Sequence, residues 1–119
     1  MPEGPEIRRA ADQLARAVEG EIAERVEFHW PPLAGAARRV QGQRIVRVAP
    51  RGKAMLITFA NGLTLYSHNQ LYGVWRVAKA GMRPRTTRAL RVAIDGPDRA
   101  VLLYSASDIE LLRDDDAAR

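Results

Sequence analysis

Cysteine is absent from the 119 residues, which excludes disulfides and any thiolate-ligated metal. Histidine is nearly absent too. His29 and His68 are the two imidazoles, and two isolated histidines make a poor metal site, so no metal or cofactor is expected in this chain. No apolar run approaches the roughly 20 residues a membrane span needs, and no secretory signal pattern opens the chain. A cytoplasmic protein without membrane contact is the expectation. Aromatic residues make up only 6% of the chain, but the apolar share of 46% suffices for one domain with its own core.

Acidic residues are missing from one long stretch. All 14 lie between Glu3 and Glu27 or between Asp95 and Asp116, while the span from Phe28 to Ile94 holds 12 arginines and lysines. Segregation on that scale implies a positive field over whatever face these residues share. Its natural partner is a polyanion, because each neutralised phosphate releases counterions. The competing reading is a merely basic surface, with the ratio of 17 arginines to 2 lysines reflecting genome composition.

The order of elements is legible from periodicity. Ile7, Ala11, Leu14, Ala15 and Val18 recur at three- and four-residue spacing, which predicts an amphipathic helix stopped near Gly20. The period then changes. Glu21 to Phe28 alternates loosely with Ile22, Val26 and Phe28 inward, Trp30-Pro31-Pro32 ends it, and 34–40 suits a short helical turn. Strands are predicted at Ile45 to Val48, Ala54 to Phe59, Leu63 to Ser67, Val74 to Ala78, Ala89 to Ile94 and Ala100 to Tyr104, with a hairpin at Asn61-Gly62. One helix followed by seven or eight short strands predicts an α+β fold that is mainly β, a two-sheet antiparallel β-sandwich.

The first six residues, Met1-Pro2-Glu3-Gly4-Pro5-Glu6, place a potential secondary amine beside two carboxylates. Removal of Met1 would leave Pro2 with a free ring amine of pKa near 8, partly unprotonated at neutral pH and able to attack a carbonyl carbon. The plainer reading is a helix start, since proline and glutamate both suit a first turn. Lys53, in the turn Arg51-Gly52-Lys53, reads by itself as an exposed turn lysine. Gln70, Leu71 and Tyr72 put an aliphatic and an aromatic side chain into a loop, where they either fold onto a core or act as a wedge in a base stack.

The string from Met1 to Asp12, the turn Arg51-Gly52-Lys53-Ala54, the segment Leu63 to Val77 and the segment Leu102 to Glu110 together resemble the endonuclease VIII branch of the formamidopyrimidine-DNA glycosylase family. The resemblance runs over nearly the whole chain. It implies a base-excision repair enzyme, a bifunctional DNA glycosylase and abasic-site lyase acting on oxidised pyrimidines with β,δ-elimination. It further implies Pro2 as Schiff-base nucleophile, Glu3 as proton donor, Lys53 as proton donor for β-elimination, and Glu6 as an assisting or orienting carboxylate. Gln70, Leu71 and Tyr72 become the wedge and DNA contacts, with His68, Asn69 and Arg76 as further contacts. Arg83, Arg85 and Arg88 are candidates for the DNA backbone. Damaged double-stranded DNA is the implied partner and the nucleoid the implied setting.

The family's helix–two-turns–helix domain and its four-cysteine zinc finger have no counterpart in residues 1–119. The chain is therefore read as the N-terminal catalytic domain, with activity impaired by truncation and a missing C-terminal half as a candidate partner. The alternatives are a non-catalytic DNA-binding module and an inactive remnant.

Overall fold

The computed structural model describes residues 5–68 and 73–113. It opens on helix α1 (Pro5–Val18). Pro5 suits the first turn, where no amide hydrogen is needed, and Glu6 in the first turn and Arg16 in the last complement the helix dipole. Ala11, Leu14 and Val18 are buried, with Ile7, Ala10, Ala15 and Ala17 at the margin of the core. Gly20 ends the helix in the left-handed region, φ +86°, a conformation glycine adopts without a Cβ penalty.

Eight strands follow: β1 (Arg25–Phe28), β2 (Ile45–Arg51), β3 (Ala54–Phe59), β4 (Leu63–His68), β5 (Val74–Lys79), β6 (Leu90–Asp95), β7 (Arg99–Tyr104) and β8 (Ile109–Arg113). They form two antiparallel four-stranded sheets, ordered β1-β6-β7-β5 and β2-β3-β4-β8. This is the predicted sandwich. Alternate residues meet between the sheets: Val26, Phe28, Val92, Ile94, Val101 and Leu103 from the first, and Val48, Ile57, Phe59, Leu63, Leu65 and Ile109 from the second. Strand β7 is apolar from Ala100 to Tyr104 because both of its faces are covered. Val101 and Leu103 enter the main core, while Ala100, Leu102 and Tyr104 form a second cluster with Ala93.

Four local expectations change. Ile22 is 37% exposed and makes only an isolated bridge to Arg44, while Ala23 is fully buried, because pairing with β6 begins at Arg25. On β2 both Val46, 53% exposed, and Arg47 face outward between buried Ile45 and Val48. A register shift between Ile45 and Arg47 inserts the extra residue of a bulge, which brings Val48 and not Arg47 to the core. Two short 3₁₀ turns, Pro31–Leu33 and Ala37–Arg39, replace one helical turn over 34–40. The eighth strand is β8, paired with β4 from Leu63↔Arg113 to Ser67↔Ile109, in a segment without a strand signal of its own.

Helix α1 packs against β2, β5, β7 and β3, so it lies along one side of the sandwich. Its C-terminal end is tied to the start of β2. The Gly20 amide donates to the Ile45 carbonyl (2.7 Å), and the Val48 amide donates to the Glu19 carboxylate (2.8 Å). That carboxylate satisfies a donor on the open edge of β2.

Candidate functional site

One end of the second sheet brings together two of the candidate residues that lie within the described chain, Lys53 and His68. Arg51 pairs with Ala54, so β2 and β3 are joined by the two residues Gly52 and Lys53. Gly52 has φ +59° and Lys53 does not enter the left-handed region, which is the pattern of a two-residue turn with glycine at its first central position. Ala54 in turn pairs with His68, the last residue of β4. The His68 amide donates to the carbonyl of Asp108, just before β8 (2.9 Å). The turn carrying Lys53, the end of β4 and the start of β8 are thus neighbours across one rim of the sheet.

Gly52 has no atom within 4 Å of where a Cβ would sit, so substitution there meets only backbone strain. Gly52→Ala is expected to lower stability by about 1–2 kcal/mol, read as a drop in melting temperature. An unchanged or raised melting temperature would show that the turn does not need the left-handed conformation.

Lys53 is exposed. His68 is half-buried, and its Nδ1 is buried with no hydrogen-bond partner among the described residues. Beside it, Ser67 is fully buried and its Oγ is likewise without a partner among them. Buried polar atoms left in this state are uncommon, and two of them adjoin each other at this rim. Ser105, between β7 and β8, holds φ +62° and is the single non-glycine residue with positive φ among the described residues. Tyr66, on β4, has its phenol pKa raised by burial and then by Asp108 and Glu110, so it stays neutral.

Glu6 is exposed in the first turn of α1. Pro2, Glu3, Asn69, Gln70, Leu71 and Tyr72 lie outside the described residues. Arg76 is exposed on β5, in the other sheet from Lys53 and His68, and the structure does not bring it to their rim. Instead it lines a cleft of about 870 Å³ with Arg16, Arg85 and Arg99. Sequence reasoning missed Arg16 and Arg99. Each is one charged residue on a polar face, and nothing local distinguishes it.

Arg83 is not available for a DNA backbone. Its guanidinium makes two bonds to the Asp95 carboxylate (2.7 and 3.1 Å) and a third to Glu27 (3.3 Å). The Gly81 amide adds a bond to Asp95 (2.8 Å), and Arg25 and His29 flank Glu27 at 3.1 and 3.0 Å. This cluster fastens residues 80–89 to the first sheet. Burial works against the charged form of Asp95, but its bonds from Arg83 and the Gly81 amide hold its pKa below the ordinary value. Glu27 is also lowered, first by the His29 hydrogen bond and, against burial, by Arg83 and Arg25. Among the described residues no group of three or more His, Asp or Glu is placed to hold a metal, and no helix is long and apolar enough to cross a membrane.

The solved structures that this fold resembles include Lactococcus lactis formamidopyrimidine-DNA glycosylase, non-covalently bound to DNA containing an abasic site. It matches with a TM-score of 0.82 at 19% identity over 98% of this chain and 47% of that one. At that identity the likeness speaks for the fold. Closer in sequence are Endonuclease 8 of Shigella flexneri, 58% identical over 113 residues, and Endonuclease 8 of Klebsiella pneumoniae, 56% identical over 112. The chain spans 43% of the length of these relatives, which in turn cover 95% and 94% of it. The family model for the formamidopyrimidine-DNA glycosylase N-terminal domain matches residues 1–106. The sandwich, its flanking helix and this match agree, and the chain belongs to the formamidopyrimidine-DNA glycosylase family.

Proposed function

We propose that this domain carries the nucleophile-bearing half of a DNA glycosylase and abasic-site lyase of base-excision repair, directed at oxidised pyrimidines. The Pro2 amine, freed by removal of Met1, attacks C1′ of the damaged nucleotide, and the base departs. Glu3 protonates the ring oxygen, so the sugar opens and stays bound as an iminium. Lys53 serves the proton transfer of β-elimination and contacts the adjacent phosphate. Loss of the second phosphate completes δ-elimination. Gln70, Leu71 and Tyr72 fill the gap left by the extruded nucleotide, whose stacking is worth a few kcal/mol.

The observation that carries this reading is the rim that joins the Lys53 turn to His68. The competing reading, a DNA-binding module without imine chemistry, is favoured by the arginine-lined cleft on the other sheet.

Borohydride trapping on a duplex with one abasic site separates the two. A covalent adduct is expected from protein whose intact mass shows Met1 removed, with the adduct reduced or lost in Pro2→Gly and in protein that retains Met1. No adduct from the processed chain would sink the catalytic reading for this polypeptide, and equal trapping with Met1 retained would remove Pro2 as the nucleophile.

A further inference from the structure

The cleft beside α1 is built from parts that are distant in sequence. Gln13 and Arg16 come from the second half of the helix, Trp75 and Arg76 from edge strand β5, Arg85 from the segment after β5, and Arg99 from the start of β7. Four guanidinium groups from four elements converge on one concavity, and among the described residues no carboxylate lines it. Three cations elsewhere are answered within the fold: Arg83 by Asp95 and Glu27, Arg25 by Glu27, and Arg44 by the Gly20 carbonyl. Arg91 stands over the Trp30 ring at 5.2 Å. Arg16, Arg76, Arg85 and Arg99 are all exposed at the cleft. Like charges gathered in this way repel one another, so an anionic ligand would relieve the arrangement.

The remaining lining refines the choice of anion. Trp75 is half-buried, yet its Nε1 is buried with no hydrogen-bond partner among the described residues. With its N–H closed off from solvent, Trp75 offers a ligand ring surface at the cleft and not a donor. Gln13 and Thr86 add neutral hydrogen-bonding groups, and Tyr104 a second aromatic ring. Planar guanidinium groups suit phosphate oxygens, and a positive groove interleaved with aromatic rings is the usual platform for a nucleic-acid strand. A volume of about 870 Å³ exceeds what a single phosphate needs and lies in the upper range of ligand clefts.

We infer that this cleft is a second nucleic-acid contact surface, separate from the Lys53 rim, which holds the phosphodiester backbone of an undamaged strand. The inference does not depend on imine chemistry, because its ligand carries neither lesion nor abasic site.

The test uses the ¹⁵N-labelled chain titrated with a twelve-residue oligothymidylate and observed at the two tryptophan indole N–H resonances. Trp30→Phe assigns them. The Trp75 resonance is expected to move and that of Trp30 to stay. The pair Arg76→Ala and Arg85→Ala is expected to weaken binding about tenfold and to cut the salt slope of log K by about 0.7 for each phosphate no longer neutralised. Arg38→Ala with Arg47→Ala removes the same charge elsewhere and is expected to leave the Trp75 shift intact. The inference is overturned if Trp75 stays fixed while the Lys53 amide shifts, or if no resonance moves at any concentration. It is equally overturned if the cleft variants behave as wild type, or if polyglutamate moves Trp75 as strongly as the oligonucleotide, which would reassign the cleft to acidic polypeptides. Failure of abasic-site trapping with a normal Trp75 titration would count against the catalytic reading alone.

Discussion

Lys53→Ala is expected to reduce strand cleavage at an abasic site by about 100-fold or more, the usual scale for loss of a positioned proton-transfer group. The borohydride-trapped adduct should persist, because in the proposed mechanism the imine forms on Pro2 before Lys53 is needed. Lys53 is exposed on a two-residue turn and its side chain supports no packing, so folding should not confuse the result. The informative variant is Lys53→Arg. A guanidinium keeps the positive charge and can still meet the phosphate, but it does not give up its proton near neutral pH. If Lys53 transfers a proton, the arginine variant binds the duplex like wild type and cleaves as poorly as the alanine variant. Cleavage restored by arginine would show that only the charge matters.

Asp95→Ala is expected to lower stability by about 3 kcal/mol, the scale for stranding one member of a buried ion pair. That corresponds to a fall in melting temperature of about 15 °C for a domain of this size. The Asp95 side chain is 6% exposed and Arg83 25%, so solvent screens this pair little. The effect should be felt at the cleft as well. Residues 80–89 are held down through Asp95, and Arg85 and Thr86 belong to that segment. Binding of undamaged oligonucleotide should therefore weaken in Asp95→Ala although Asp95 does not line the cleft.

The same cluster sets an acid limit. Both Asp95 and Glu27 have folded pKa values below their unfolded ones, so the folded state binds fewer protons in the acid range. Their contribution is complete above the unfolded values near 4 and is lost as pH falls through the lower folded values. Melting temperature should drop below about pH 4 in the wild type, and this drop should be shallower in Asp95→Asn. Parallel curves for the two proteins would place the acid sensitivity elsewhere.

Periodicity alone located α1 and seven of the eight strands, because burying one face imposes a repeat of 3.6 or 2 that neighbours in sequence must honour. It failed where pairing, not side-chain type, decided orientation. Alternation from Ile45 would carry Arg47 inward, and the bulge that brings Val48 to the core instead exists only against Thr58 and Phe59 of β3. β8 was hidden because its short run Ile109-Glu110-Leu111-Leu112-Arg113 gains its identity from β4, which supplies the partner hydrogen bonds. Among site residues, the Gly52-Lys53 turn was legible, since a glycine between two strand patterns announces a hairpin.

The sequence by itself determined the family and the sandwich, because both are carried by residue type and local order, and it nominated the residues proposed for imine chemistry. The tertiary structure alone decided how the charges are spent. Arg83 and Arg85 lie two positions apart in the same basic segment and look equivalent in the chain. Folding delivers one to the buried carboxylate of Asp95 and leaves the other at a cleft with Arg16, Arg76 and Arg99. Electrostatic partnership depends on distance through space, and the residues that settle it stand up to 83 positions apart, from Arg16 to Arg99.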